Sequence, residues 1–443
     1  MAYLIPSLLV LLEAFRPCFR REAFHNFRTA VCAWLLCLGR RTLSEVVQAG
    51  GLPADKHHDA LDHLFAHAAW EPNDVGERLA WQLIQRFAPT GRLWLVVDDT
   101  LCHKRGAKVA FGGIFLDAVL SSKRRKVFRF GVNHVVLGLA VRLPGRPDRC
   151  FCLPLRCAAF VKKDRPGHVK RTDLAARLAR CLAELCPDRP LVLVGDAAYI
   201  NAATLRERPA NLQVVGPIHP KAALYAPAAP RPPGERGRPR KKGARLPTPR
   251  AMLEDPATYP AQTTTYDFPG GPRALRTQHV PDVLWYTAAR QERLRLVLVR
   301  DPAGRWRDAA CVCTDPTLTV AEVLEGSCQR WSIELTFHDC KQHLGLSDPQ
   351  VRTGPSVARA HTRAYWCYSL TILWYAENPG AEAPLRERPW YPAGVGPTFT
   401  EMLGTLRLAL WQGRIFGECG ATTGHTISPE RLDALLHFIA AVR

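Results

Sequence analysis

Two apolar runs constrain this chain more than any other feature. LWLVVDD, residues 93–99, and RPLVLVGD, residues 189–196, are each near-continuous aliphatic stretches that stop at acids. Runs of that kind predict strands buried on both faces, the pattern of parallel strands in an α/β sheet. Such strands bring their C-terminal ends together, and open α/β folds place their sites at that edge. Asp98 or Asp99 would therefore lie near Asp196. Taken singly, an acid at a strand end more commonly caps the next turn or helix.

A third element supplies another acid. In QRWSIELTFHDCKQHLGL, residues 329–346, Arg330, Glu334 and Lys341 stand at i, i+4 and i+11. At ~100° per residue they fall within roughly 40° of one another on a helix. One carboxylate thus sits between two cations on a narrow face of a segment that is otherwise largely apolar. Thr319 and Glu322 form a capping box that predicts the start of this helix near residue 319. Intrahelical pairing of Arg330 with Glu334 is the plain alternative, and on an exposed helix it contributes only a few tenths of a kcal/mol. The spacing favours Arg330 and Lys341 as phosphate ligands beside a carboxylate metal ligand.

The order of elements frames these residues. Residues 1–88 have helical periodicity, and 91–217 read as strands, KVAFGGIFLDAVL (108–120) among them, followed by a helix and alternating strands. Residues 218–290 are rich in Pro, Gly, Arg and Lys, a composition that predicts a loop or arm without a core, with short β-like pieces. Residues 291–376 return to a hairpin and helices, and 377–443 hold one or two more helices. That order is similar to the ribonuclease H-like fold. The expected class is α/β: a ribonuclease H-like core with a β-rich basic insertion and an N-terminal helical domain. A helix, a Gly-Gly-Leu-Pro break and a second helix near residues 41–70 are compatible with a DNA-binding helix-turn-helix, or with an ordinary helical hairpin. His63 and His67 are at i, i+4, but no third ligand is evident, so a solvated or packed face is the better reading.

Charge narrows the partner. The net charge is +20 over 443 residues, which suits a polyanion. The insertion carries Arg236-Gly237-Arg238-Pro239, then Arg240, Lys241 and Lys242. This strip resembles an AT-hook core, which lies in a narrow minor groove. A basic loop tracking phosphate would use the same residues. Trp285 and Trp306 are candidate base-stacking residues, and core packing explains them equally well. Fifteen cysteines, without paired C-x2-C motifs, favour reduced thiols over structural zinc. No run approaches the length of a membrane span, and the N-terminal MAYLIPSLLVLLEAF lacks the features of a signal peptide. The expectation is a soluble, cytoplasmic protein.

On these residues the chain resembles the DDE transposases of bacterial insertion sequences, in the branch with the signature Y-x2-R-x3-E-x6-K. Arg330, Glu334 and Lys341 match R-x3-E-x6-K. Asp98 matches the first acid through D-x-T (Asp98, Asp99, Thr100), and Asp196 the second, with Tyr199 following. The signature tyrosine falls at Ser327, which removes one phenolic contact and no charge. The resemblance implies that Asp98, Asp196 and Glu334 bind two Mg2+ ions, with Mn2+ able to substitute. It implies that Arg330 and Lys341 hold DNA phosphates and that the insertion contacts the element's end. It also implies a multimer, expected to be a homodimer, acting on terminal inverted repeats and target DNA by cut-and-paste with a hairpin intermediate. The rival readings are a transposase-derived DNA-binding protein without cleavage and a ribonuclease H-like nuclease without strand transfer.

Overall fold

The computed structural model describes residues 4–51, 57, 59–231, 237–268, 271–381, 396–418 and 429–440. Its strands are β1 Leu93–His103, β2 Gly113–Leu116, β3 Phe128–Leu143, β4 Arg146–Ala159, β5 Leu191–Gly195, β6 Leu212–Pro217, β7 Ala261–Phe268, β8 Gly271–Val283, β9 Leu294–Arg300 and β10 Ala309–Cys313. The helices before β5 are α1 Pro6–Glu13, α2 Arg21–Leu36, α3 Leu43–Ala49, α4 Asp59–Ala66, α5 Pro72–Phe87 and α6 Arg171–Leu185. Those after it are α7 Ala202–Leu205, α8 Pro249–Leu253, α9 Tyr286–Ala289, α10 Val320–Gln329, α11 Trp331–His343, α12 Gly354–Glu377, α13 Phe399–Glu418 and α14 Pro429–Ala440.

All ten strands join one mixed sheet, ordered β2-β3-β1-β5-β6-β10-β9-β8-β7, with β4 also pairing β3. β1 is parallel to β5 and β5 to β6, as the apolar runs predict, while β3 and β4 are antiparallel additions beside β1. Alternation along β5 gives the sheet two buried faces. Leu191 and Leu193 join the main core, whereas Val192 and Val194 join a second cluster with Val323 and Leu324 of α10. Helix α6 packs its Ala175, Leu178, Ala179 and Leu182 into the main core. Helix α12 lies against β4 and is buried almost from end to end, because α2, α4, α5 and α13 enclose its other sides.

Four sequence expectations change. Asp98 and Asp99 do not end a strand: β1 runs on to His103, because β3 offers an antiparallel partner as far as Gly131. They end only the part of β1 that pairs with β5. Within KVAFGGIFLDAVL only Gly113–Leu116 is strand. The stretch after residue 218 does contribute to a core, burying Leu224, Met252, Leu253, Leu275 and Val283. Its strands β7 and β8 extend the main sheet through β9. The helix capped by Thr319 and Glu322 is two helices, α10 and α11, meeting at Arg330.

The break after α3 falls largely on residues 52–56 and 58, outside the described ones. His63 and His67 have ring centroids 5.7 Å apart. Among the described residues the cysteines are free, and no helix is long and apolar enough to cross a membrane.

Candidate active site at the edge of the parallel strands

The site grows from the ladder between β1 and β5. Val97 pairs with Gly195, and the next residues, Asp98 and Asp196, stand just past this last rung of the parallel pairing. Gly195 is required by the tightness there: a Cβ would lie 2.9 Å from Cβ of Tyr199 and 3.2 Å from Cγ1 of Val97. Asp196 Oδ1 accepts from the backbone N–H groups of Ala198 (2.9 Å) and Tyr199 (3.2 Å), which folds the chain sharply after β5.

Strand alternation sends Asp98 and Asp99 to opposite faces, and their partners differ accordingly. Asp99 is held by Asn133 Nδ2 at 2.7 Å, Arg171 Nη1 at 2.8 Å and the Tyr199 hydroxyl at 2.5 Å. Asp98 faces α11, with Oδ2 3.5 Å from Arg330 Nη1. Burial pushes the Asp98 carboxyl up to about 7, and the charges of Asp196 and Asp99 add to the shift against the pull of the Asp99 N–H and Arg330. Crowding of this kind, carboxylates beside one another in a poorly solvated place, is what a bound cation offsets.

Arg330 is the cation present. The same Nη1 lies 2.8 Å from Glu334 Oε1, so one nitrogen stands between Asp98 and Glu334. Its guanidinium also covers the Trp331 ring at 4.3 Å. Arg330 is thus an ion-pair partner, the alternative that the helix spacing had disfavoured. Upstream of the joint at Arg330, α10 lies close over β1 at Gly326, where a Cβ would be 2.2 Å from Cζ3 of Trp94. Lys341 is half-buried on α11 near Cys102 of β1; burial pushes that thiol up and Lys341 draws it down. The hydroxyl of Ser327 donates to Val323 O at 2.8 Å and lies 3.6 Å from Cys311 Sγ, against β10.

The donors at this edge are hard oxygens, and the crowded Asp98 fits a hard divalent cation. Among the described residues no three His, Cys, Asp or Glu side chains converge closely enough to hold a metal ion. Glu334 is turned to Arg330 and would complete a donor set with Asp98 and Asp196 only after leaving it.

The basic strip is rooted more firmly than its composition suggests. Tyr225 bridges to Arg245 and Leu284, and Ala226 exchanges backbone hydrogen bonds with Gly243 and Ala244. Arg238, Arg240 and Lys241 are exposed. Lys242 lies over the Tyr225 ring at 3.6 Å, so that cation is already engaged. Arg236 lies outside the described residues. Trp285 packs against the main core, and Trp306 is taken up by Phe268 and Arg273. Arg171 and Asn133, which hold Asp99, had no signal in the sequence, because neither shares a motif or a spacing with it.

The sequence profile of the DDE superfamily endonucleases matches residues 14–292, more than half of the chain. The chain belongs to that family. Members of the superfamily generally use divalent metal ions. The matched span of this DDE endonuclease includes Asp98 and Asp196 and ends before Arg330, Glu334 and Lys341. A solved structure, a piggyBac transposase synaptic complex with hairpin DNA, aligns with 11% identity and a TM-score of 0.42, covering 95% of this chain and 76% of that one. Likeness at that level assigns nothing to the present chain. No curated protein matches it.

Proposed function

We propose that this DDE endonuclease is a transposase of the bacterial insertion-sequence type, with a ribonuclease H-like core and an N-terminal helical DNA-binding region. It binds terminal inverted repeats as a homodimer, cleaves DNA at the element's ends and joins the freed 3′-hydroxyl to a target. One observation carries the reading: Asp98 and Asp196 directly follow the last paired rung, Val97–Gly195, of parallel β1 and β5, and Arg330 ties Asp98 to Glu334. The order β4-β3-β1-β5-β6, antiparallel then parallel, supports the core assignment.

Asp98, Asp196 and Glu334 would hold Mg2+, two ions in this reading, with Mn2+ as a substitute. Divalent ions at such a site activate the attacking oxygen and stabilise the leaving one in an in-line displacement at phosphorus. The protein's own groups do the positioning. Asp99, fixed by Arg171, Asn133 and Tyr199, anchors β1 so that Asp98 presents its carboxylate to the opposite face. Arg330 exchanges Glu334 for a DNA phosphate, which frees the glutamate. Lys341 holds phosphate further along α11, and Arg236, Arg238, Arg240 and Lys241 track the duplex outside the site.

The test is Glu334→Gln in the full-length protein. It should bind element-end DNA and fail to cut it with Mg2+. Normal cutting by this variant would remove the site assignment. A strand-transfer assay with pre-cut ends then separates a transposase from a nuclease that only hydrolyses.

A further inference from the structure

The hairpin formed by β2, the turn at 117–127 and the start of β3 is the most exposed apolar feature among the described residues. Ile114, Leu116, Val119, Leu120 and Phe128 all face solvent, with Val119 85% and Phe128 60% exposed. Leu116 and Phe128 are direct cross-strand partners, and Ile114 lies two residues before Leu116, so the three share one face. Val119 and Leu120 continue that strip onto the turn.

The turn is built to present them. The Asp117 carboxylate is buried; Oδ1 accepts from the N–H groups of Val119 and Leu120, both at 3.0 Å, and Oδ2 lies 2.6 Å from His103 Nε2. The Ser121 hydroxyl donates to Val127 O and accepts from Val127 N–H, and the Ser122 hydroxyl accepts from Arg125 N–H. Beside the apolar strip stand Lys123, Arg124, Arg125 and Lys126, all exposed. Asp117 is the hairpin's one acid.

Charge selects the occupant. A second copy of a chain with net charge +20 would bring cations against this tip, whereas a DNA backbone brings phosphates. Apolar side chains set between phosphate-binding cations are the means by which proteins wedge into a base step and kink the duplex. We infer that the Gly113–Phe128 hairpin is a DNA wedge, in which Val119 and Leu120 insert at a base step while Lys123, Arg124, Arg125 and Lys126 hold the flanking phosphates. This rests on the reading of the protein as acting on DNA. Asp98 pairs with Val136 on β3, eight residues from Phe128, or about 25 Å along the strand. The wedge therefore engages the duplex away from the scissile phosphate, at a distance of roughly seven base pairs.

The experiment measures binding of the full-length protein in EDTA to a 30-base-pair duplex (about 100 Å long) and to the same duplex with a two-nucleotide bulge. A bulged step is already unstacked, so a wedge should favour it by about tenfold. Val119→Ser with Leu120→Ser should bring that ratio close to one while leaving the salt dependence unchanged. Replacing Lys123, Arg124, Arg125 and Lys126 by Gln should weaken binding to both duplexes alike and lower the log–log salt slope by about 4. The inference is overturned if the wild type has no preference for the bulge, or if the serine variant keeps it. It is also overturned if that variant instead turns a DNA-free dimer into a monomer by sedimentation. Failure of the transposase reading shows separately, as normal cutting by Glu334→Gln in Mg2+.

Discussion

Asp98 and Asp99 are neighbours in the chain and belong to different faces of the sheet: Asp98 meets Arg330 of α11, and Asp99 meets Arg171 of α6. Their substitutions should separate cleanly. Asp98→Asn should leave folding and DNA binding intact and lower strand cleavage by about a thousandfold or more. Asp99→Asn removes a charge-assisted bond to Arg171 and unsettles Asn133 and Tyr199, at a cost of about 1–3 kcal/mol. Thermal melting and a cleavage assay on both variants check this. Equal melting loss with equal activity loss would mean that the two carboxylates do one job.

The raised carboxyl of Asp98 gives a pH dependence whose sign is fixed. Its folded value, about 7, stands above its ordinary one. Stability from this group is therefore full below about pH 4 and lost as pH rises through 7. Without divalent metal, the Asp98→Asn protein should melt higher than wild type at pH 8 and close to it only near pH 4. Metal binding requires the ionised form, so stabilisation by Mg2+ should be large at pH 8 and shrink below pH 7. A Mg2+ shift independent of pH would place the ion elsewhere.

Gly326 sets the seat of α10, the helix that leads into α11 and Glu334. An alanine there would gain about 1 kcal/mol in helix propensity. Against the Trp94 ring at 2.2 Å it would lose about 1–3 kcal/mol to overpacking. The clash should win, lowering the melting temperature by a few degrees. Displacing Arg330 and Glu334 by ~1 Å should cost about a hundredfold in cleavage. A double variant that also replaces Trp94 by Leu should recover part of both.

Restoring the signature tyrosine at Ser327 should not help this chain. The serine is half-buried against Cys311 of β10 and bonds its own helix. A phenol ring there overpacks the second cluster, at about 1–3 kcal/mol. Ser327→Tyr should melt lower than wild type and cut no faster. Faster cutting would show that the position faces the DNA.

The parallel pairing of β1 and β5, with Asp98 and Asp196 just past it, was legible in the sequence, because a stretch buried on both faces must be apolar along its length. The helix of Arg330, Glu334 and Lys341 was legible for a similar reason, since a fixed angle per residue converts spacing into a common face. Local periodicity says that Asp98 and Asp99 point apart. It does not say which face carries α11 and which α6. Only the tertiary structure decided that, together with the overrun of β1 along β3, the capture of Arg330 by two carboxylates and of Lys242 by Tyr225. It also decided the exposure of Val119 and Leu120, which alternation alone would place in a strand. Each of these depends on what lies across from a residue, and a chain's own pattern records the face a side chain takes, not the partner it meets there.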